Sequence, residues 1–421
     1  MNQVQEEAKI YIVGAGVSGL IAAQNLENYG YSPIILEASD RAGGRVKTDV
    51  IDGYQLDHGF QVLLDAYPMA QKYLDFDSLR LQSLQSGALI FKGDSSTEFG
   101  NSLRDVKFLF STVFSSLGTL TDKWKIFQLN QALKSERVDI IFNKDELSTL
   151  QYLKRYGFSD TIIKNFFQPF FSGIFLEPNL ETSSRMFEFV YKMFGTGQAV
   201  IPEAGMEAIP KQLQNNLKKT TFHFDTKVKE VNNQRILLAN EEELATDFTI
   251  IASDPSQLFP RYSSTLEWKA CDTLYFTTPI DPIGSPIIGL NANEHALINN
   301  IFFPTSIETA TRGKDALLSV TVVKAHELNE RELIRQVQNE LSKLFFISNT
   351  SILKRYKITR ALPKLNDLKY ERDEGESLIN ERIAIAGDTH LNGSLNAAMI
   401  SGENAAKIAH RATSESLFTF S

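Results

Sequence analysis

The chain has 421 residues, enough at roughly 150 residues per domain for two or three domains and a large apolar core, which excludes a disordered or peptide-like protein. Its 43 basic and 51 acidic residues leave a formal net charge of −8, so it offers no basic footprint to a phosphate backbone and nucleic acid is not an expected partner. A single cysteine, Cys271, excludes a disulfide framework and any multi-cysteine zinc or iron–sulfur site, and fits a reducing compartment. Phenylalanine is concentrated: 17 of the 29 lie between Phe76 and Phe194.

The polar, acidic start of the chain lacks the basic, then apolar, pattern of a secretory signal, so a cytoplasmic location is expected. Lys9 to Val13 reads as a short buried strand, Val17 to Tyr29 as a helix and Ser32 to Leu36 as a second buried strand, which together make a βαβ unit. After Arg45 the period changes to two, with Asp52-Gly53 between alternating runs as a hairpin turn. From Tyr67 to Phe194 the pattern is mostly helical, including the clusters Val106–Phe114 and Trp124–Leu129. Within it, Ile162–Leu176 is the most apolar stretch. Lys164, Gln168, Pro169 and Gly173 interrupt it and it is too short to span a bilayer, which leaves peripheral contact with a membrane open.

Strand patterns resume at Thr221–Val231 and Asp247–Ala252, both expected to return to the first sheet. A second β-rich stretch holds Thr273–Thr278, Ile298–Phe303 and Ala316–Val323, followed by an amphipathic helix from Asn329 to Leu344. The chain closes with a buried strand at Arg382–Ala386 and a helix of small residues from about Leu395 to Ala409.

Gly14-Ala15-Gly16-Val17-Ser18-Gly19 sits where strand becomes helix, the arrangement that lets backbone approach a pyrophosphate and points a helix N-terminus at it. Glu37 ends the next strand, where a carboxylate accepts hydrogen bonds from a ribose. The continuation, Ala38-Ser-Asp-Arg-Ala-Gly43-Gly44-Arg45, resembles the segment that extends this motif in the flavin amine oxidase superfamily, which includes amine oxidases, protoporphyrinogen oxidases and phytoene desaturases. So do Asp57-His58-Gly59-Phe60-Gln61, Pro202–Met206, and the closing Ile383–Asp388 with Gly393-Ser394-Leu395-Asn396.

The resemblance implies an α/β fold: a Rossmann-like FAD-binding domain (parallel sheet with β-meander) interleaved with an α+β substrate domain carrying a helical insertion. It divides the chain into FAD-binding parts at 1–66, 200–260 and 376–421, a helical substrate part at 67–199 and a β-sheet substrate part at 261–375. It also implies FAD, held noncovalently because the region matching the covalent attachment site, Arg360–Pro363, has no cysteine. Gly43, Gly44 and Arg45 would serve the pyrophosphate, Gly59, Phe60 and Gln61 would run under the flavin ring, and Val228 would contact the adenine through its backbone. Gly387 and Asp388 would meet the ribitol, and Ser394, Leu395 and Asn396 would place a helix N-terminus at the pyrimidine end of the ring.

Flavin supplies the redox chemistry, so the protein has to place a substrate bond against the ring and exclude other reactions. The expected activity is two-electron oxidation of an apolar small molecule, with hydride transfer to flavin N5 and oxygen or a quinone as acceptor. Ser394 stands where amine oxidases of the superfamily carry one wall of an aromatic cage, which favours desaturase- or porphyrinogen-oxidase-like chemistry; a true amine oxidase and a flavin-binding protein without turnover are the alternatives. The catalytic candidates are His58, within the segment beneath the ring, and Lys269. The lysine of amine oxidases falls on Cys271 in an ungapped match, so Lys269 also reads as a surface residue. The six histidines lack metal-ligand spacing, no metal is expected, and the absence of a second GxGxxG argues against a nicotinamide site. Phe166–Phe175 is the part of the Phe-rich stretch expected to face a substrate or a membrane.

Overall fold

The computed structural model describes residues 8–93, 118–259 and 266–418; the expected helical cluster at Val106–Phe114 lies outside them. Apolar runs at Ile10–Val13, Ile34–Leu36 and Phe248–Ile251 form the middle of a six-stranded sheet whose other strands are Ile383–Ile385, Leu378–Asn380 and Thr221–His223. Every pairing is parallel except that of Leu378–Asn380 with Ile383–Ile385. Such a sheet needs cover on both faces. The helix Val17–Asn28 covers one face, and the closing helix Leu395–Phe418 packs along it. Thr221–Val231 proves to be two strands: Thr221–His223 joins this sheet, while Val228–Val231 turns away into a three-stranded antiparallel meander with Arg235–Leu238 and Glu243–Ala245. The polar segment Phe224–Lys227 separates them and contributes no ladder bonds.

A second six-stranded sheet is antiparallel for five of its strands. Its order runs from Ser351–Lys364 through Glu267–Thr278, Ala316–Val322, Ile298–Phe302 and Ile288–Asn291 to Ala88–Phe91, whose pairing is parallel. The last strand departs from the helical reading of 67–194: Ala88–Phe91 is an apolar run of four residues, too short for a helix, and it completes the sheet edge. The helix Glu330–Leu344 covers one face through Leu333, Val337 and Leu341, at the i, i+4, i+8 spacing of a single stripe. Asn329 and Glu332 close its capping box, each side chain accepting from the other's backbone N–H.

A helical layer built from Leu120–Ser135, Thr149–Tyr156, Gln168–Phe175 and Ser184–Thr196 packs against the second sheet through Gln168–Phe175. A π-helical turn, Ile163–Phe167, precedes Gln168–Phe175, and Pro169, which has no N–H to give, sits directly after it. No described helix is long and apolar enough to cross a membrane.

Candidate functional site

A cavity of about 1470 Å³ runs between the two sheets and into the helical layer. One lobe is backbone. The loop after the first strand and the loop at Gly43-Gly44 lie side by side, joined by a bridge between Gly16 and Gly43 and by the Gly43 N–H donating to Ala15 O at 2.9 Å. Gly43 and Gly44 both adopt left-handed φ values, +129° and +61°, which side chains resist. A Cβ placed on Gly16 would meet nothing of the protein within 4 Å, so this residue presents bare backbone to the cavity, whereas one on Gly19 would lie 2.1 Å from Gly14 O and force helix and strand apart. Two motifs 24 residues apart therefore form one cradle of glycine backbone.

Glu37 faces the same lobe. Its Oε2 accepts from the Ala15 N–H at 2.7 Å, and its Oε1 from the Ser39 N–H at 2.8 Å and hydroxyl at 2.7 Å. An ionised carboxylate has about four acceptor positions, so one on Oε2 remains. Arg45 meets Asp388 in an ion pair that closes the chain's two ends onto each other, and also donates to Ala361 O at 3.2 Å.

Most of the residues singled out from the sequence line this cavity: Gly14, Gly16, Val17, Ser18, Glu37, Gly43–Arg45, His58–Gln61, Lys269, Gly387, Asp388, Ser394 and Leu395. Five do not. Ala15 and Gly19 are spent on the loop's own packing, and Ala38 is exposed at the following turn. Val228 packs in a side cluster with Tyr11 and Leu36. Asn396 is fully buried, its Oδ1 accepting from the Met69 N–H at 3.0 Å, so its side chain anchors the 67–69 turn. Ser394 has a structural duty of its own: its hydroxyl accepts from the Ala397 N–H at 3.0 Å and donates to Asn392 Oδ1 at 2.7 Å, capping the closing helix.

His58 is gripped by a network that the sequence did not reveal. Its Nε2 lies 2.8 Å from Asp49 Oδ2, which also accepts from the Tyr356 hydroxyl at 2.8 Å, while Arg41 donates to Oδ1 at 2.7 Å. Burial works against the Asp49 charge, but these hydrogen bonds outweigh it and hold the carboxyl well below its ordinary range. The Tyr356 ring, 4.5 Å from the imidazole, fixes its plane. Beneath it, burial pushes Asp57 up to about 6 despite hydrogen bonds from Thr48 and the Met206 N–H. Alternation along the two hairpin strands places Asp49 and Asp57 one pair apart, but only the Ser351–Lys364 strand brings Tyr356 to them.

Lys269 is not on the surface. It is half-buried in the cavity wall, where burial lowers its pKa and Nζ donates to Thr182 Oγ1 at 2.7 Å. Cys271, two residues on and on the same strand face, also lines the wall, with burial pushing its thiol up to about 11.

The other lobe is aromatic. Phe166, Phe170, Phe171 and Phe175 line it with Met186, Val190, Tyr191 and Phe194, while Phe167 turns into the core. None of the phenylalanines of the 166–175 segment is exposed on the outer surface. Glu146, Glu177 and Glu181 form a polar end beside Lys269. Among the described residues no group of three or more His, Cys, Asp or Glu side chains could hold a metal ion.

Comparison with known proteins agrees with this architecture. The L-amino-acid oxidase BmooLAAO-I of Bothrops moojeni is 30% identical over 168 residues, 37% of this chain and 33% of that protein, so the chain spans only a third of that relative's length. Two solved structures overlay nearly end to end. Wild-type putrescine oxidase bound to putrescine superposes with a TM-score of 0.65 at 16% identity, covering 98% of this chain and 99% of that one. A conjugated-linoleic-acid-producing (CLA) fatty acid isomerase from P. acnes superposes with a TM-score of 0.70 at 14% identity, covering 96% and 99%. At such identities the likeness is one of fold. The model of the flavin containing amine oxidoreductase family matches residues 17–409, nearly the whole length over which the cradle and the aromatic lobe are built, and the chain belongs to that family.

Proposed function

We propose that the chain holds FAD noncovalently and uses it for the two-electron oxidation of an apolar small molecule, with oxygen or a quinone taking the electrons. The observation that carries this reading is one continuous cavity with a glycine-backbone cradle at one end and a wall of phenylalanine at the other. The cradle fits a dinucleotide because Gly16 leaves open space where any side chain would intrude. Glu37 keeps one acceptor position for a ribose hydroxyl, and Gly14, Gly16, Gly43 and Gly44 offer backbone to the pyrophosphate. Arg45 would help to neutralise it, Asp388 would meet the ribitol, and Leu395 opens the helix whose positive end would face the ring. Noncovalent attachment is supported by the absence of cysteine from Arg360–Pro363 and by the unreactive, buried state of Cys271.

Bound FAD supplies hydride acceptance. The protein's share is to exclude water with the aromatic lobe, to orient the substrate and to manage a proton. His58 is held ready for that last role, because the ionised Asp49 can only accept and so fixes a proton on Nε2. Desaturase- or porphyrinogen-oxidase-like chemistry is favoured over amine oxidation because Ser394 is committed to capping and offers no aromatic wall.

One observation favours a second reading, amine oxidation. Glu146, Glu177 and Glu181 line the polar end of the cavity and could receive a cationic substrate. Anaerobic titration of the purified yellow protein separates the two. Bleaching by porphyrinogens or carotenoid precursors supports the first and bleaching by amines alone supports the second. A yellow protein that none of them bleaches would be a flavin binder without turnover, and bleaching by NADPH would contradict both readings.

A further inference from the structure

The strand Ser351–Lys364 is irregular where it meets the cradle. Its partner Glu267–Thr278 pairs Lys269 with Leu362 and Cys271 with Ile358, so one residue on one side, Ala270, faces three on the other. Bulges re-aim side chains, and this one brings Thr359, Arg360 and Ala361 to the cavity wall. Ala361 O receives Arg45, and Arg360 donates to Asp254 Oδ2 at 2.8 Å, just past the end of the strand beside the Gly14 loop. Both guanidiniums lie against Trp268, also in the cavity wall, with Arg45 Cζ 5.3 Å and Arg360 Cζ 6.0 Å from its ring centre.

We propose that Trp268, packed against Arg45 and Arg360, is a clasp from the second sheet that retains the dinucleotide in the cradle. The inference rests on FAD as the occupant of that lobe. The charges explain why a clasp is needed and how it works. Each arginine is already balanced by an aspartate, Asp388 for Arg45 and Asp254 for Arg360, so the indole packs against two planar cations without leaving a net charge in the wall. Each guanidinium has five N–H groups. Arg45 spends them on Asp388 and Ala361 O, and Arg360 on Asp254, which leaves donors on both for an anionic pyrophosphate. Arg360 also ties the second sheet to the first, so release of a dinucleotide requires this contact to part.

The test is flavin release after dilution of the yellow protein, followed as the rise in free-flavin fluorescence. Arg360→Gln, a half-exposed position where folding is not at stake, and Trp268→Leu should each release flavin about tenfold faster, the size of one lost desolvated cation–π or charged contact. Trp268→Phe should stay near the wild-type rate because it keeps an aromatic face, and Arg360→Lys should not rescue because it lacks the planar fork. Release within twofold of wild type for both Arg360→Gln and Trp268→Leu would overturn the clasp while leaving FAD binding intact. A colourless wild-type protein would overturn both the clasp and the reading beneath it. Equal melting temperatures of the flavin-free variants and wild type would place the effect on retention; a drop that accounts for the faster release would make the role merely structural and overturn the proposal.

Discussion

The two lobes of the cavity are built on opposite principles. The cradle is made by omission: Gly16, Gly43 and Gly44 leave backbone bare, and the few side chains there, Glu37 and Arg45, are pinned by short hydrogen bonds and an ion pair. The aromatic lobe is made by excess. Phe166, Phe171 and Phe175 face the cavity and at the same time belong to the main hydrophobic core, with Phe171 only 4.7 Å from Phe187 and 5.3 Å from Phe175. A substitution at Gly16, the open position of the first lobe, should therefore change what binds while sparing the fold. Substitutions in the second lobe cannot change the pocket without also changing stability.

The sharpest test of that contrast is Gly16→Val. Because a Cβ at this position meets no protein atom within 4 Å, the chain should fold with a melting temperature close to that of the flavin-free wild type but carry no FAD, read as the loss of flavin absorbance relative to protein. An unfolded Gly16→Val protein would break the comparison. Phe171→Ala is the mirror experiment: at 1% exposure its truncation should cost about 3–5 kcal/mol in urea unfolding, while flavin content in native buffer stays at the wild-type level.

Asp57, next to His58 but outside the cavity lining, offers a test by pH. Burial raises its folded pKa to about 6, above the value near 3.8 in the unfolded chain. The folded state therefore binds the extra proton between those values, and stability should fall as pH rises from about 4 to about 6, by up to about 3 kcal/mol. Asp57→Asn, which keeps the acceptor for Thr48 and Met206, should flatten that part of the stability profile measured by thermal melts. The smallest effect belongs to Ser394→Ala, which removes the cap on the closing helix and should cost about 1 kcal/mol. If the same substitution instead raised activity toward amines, the seryl side chain would matter to the substrate and not only to the helix.

The cradle was legible in the sequence because its chemistry is local. Glycine spacing, a carboxylate at the next strand end and a second glycine pair state the backbone geometry within 32 residues, and the structure brings Gly16 against Gly43 as that pattern implies. The aromatic lobe was legible only as composition. Phe166 and Phe167 are neighbours, yet one lines the cavity and the other the core, a division set by the π-helical turn that contains both. Trp268, Tyr356 and Asp49 were missed because their meeting depends on the register of long antiparallel strands and on one bulge, which no short-range pattern encodes. Lys269 reads from the sequence more as a surface residue than as a site residue, since a strand's alternation says which face a side chain takes but not whether that face meets solvent.

The contact between the first and last helices carries a consequence for how the molecule comes into being. Gly402 lets the closing helix approach so closely that an added Cβ would lie 2.3 Å from Ser18 O, and the same helix is preceded by Asp388, the partner of Arg45. The glycine loop leaves the ribosome long before the residues that supply its packing partner and its counter-charge. Until those are made the apolar helix stays uncovered, an arrangement of very high sequence separation that folds slowly and exposes the nascent chain to aggregation. A truncation that spares every glycine of the first motif but removes the helix from Leu395 onward should leave a chain unable to hold its cofactor, so residues far along the chain decide whether the first motif becomes a binding site.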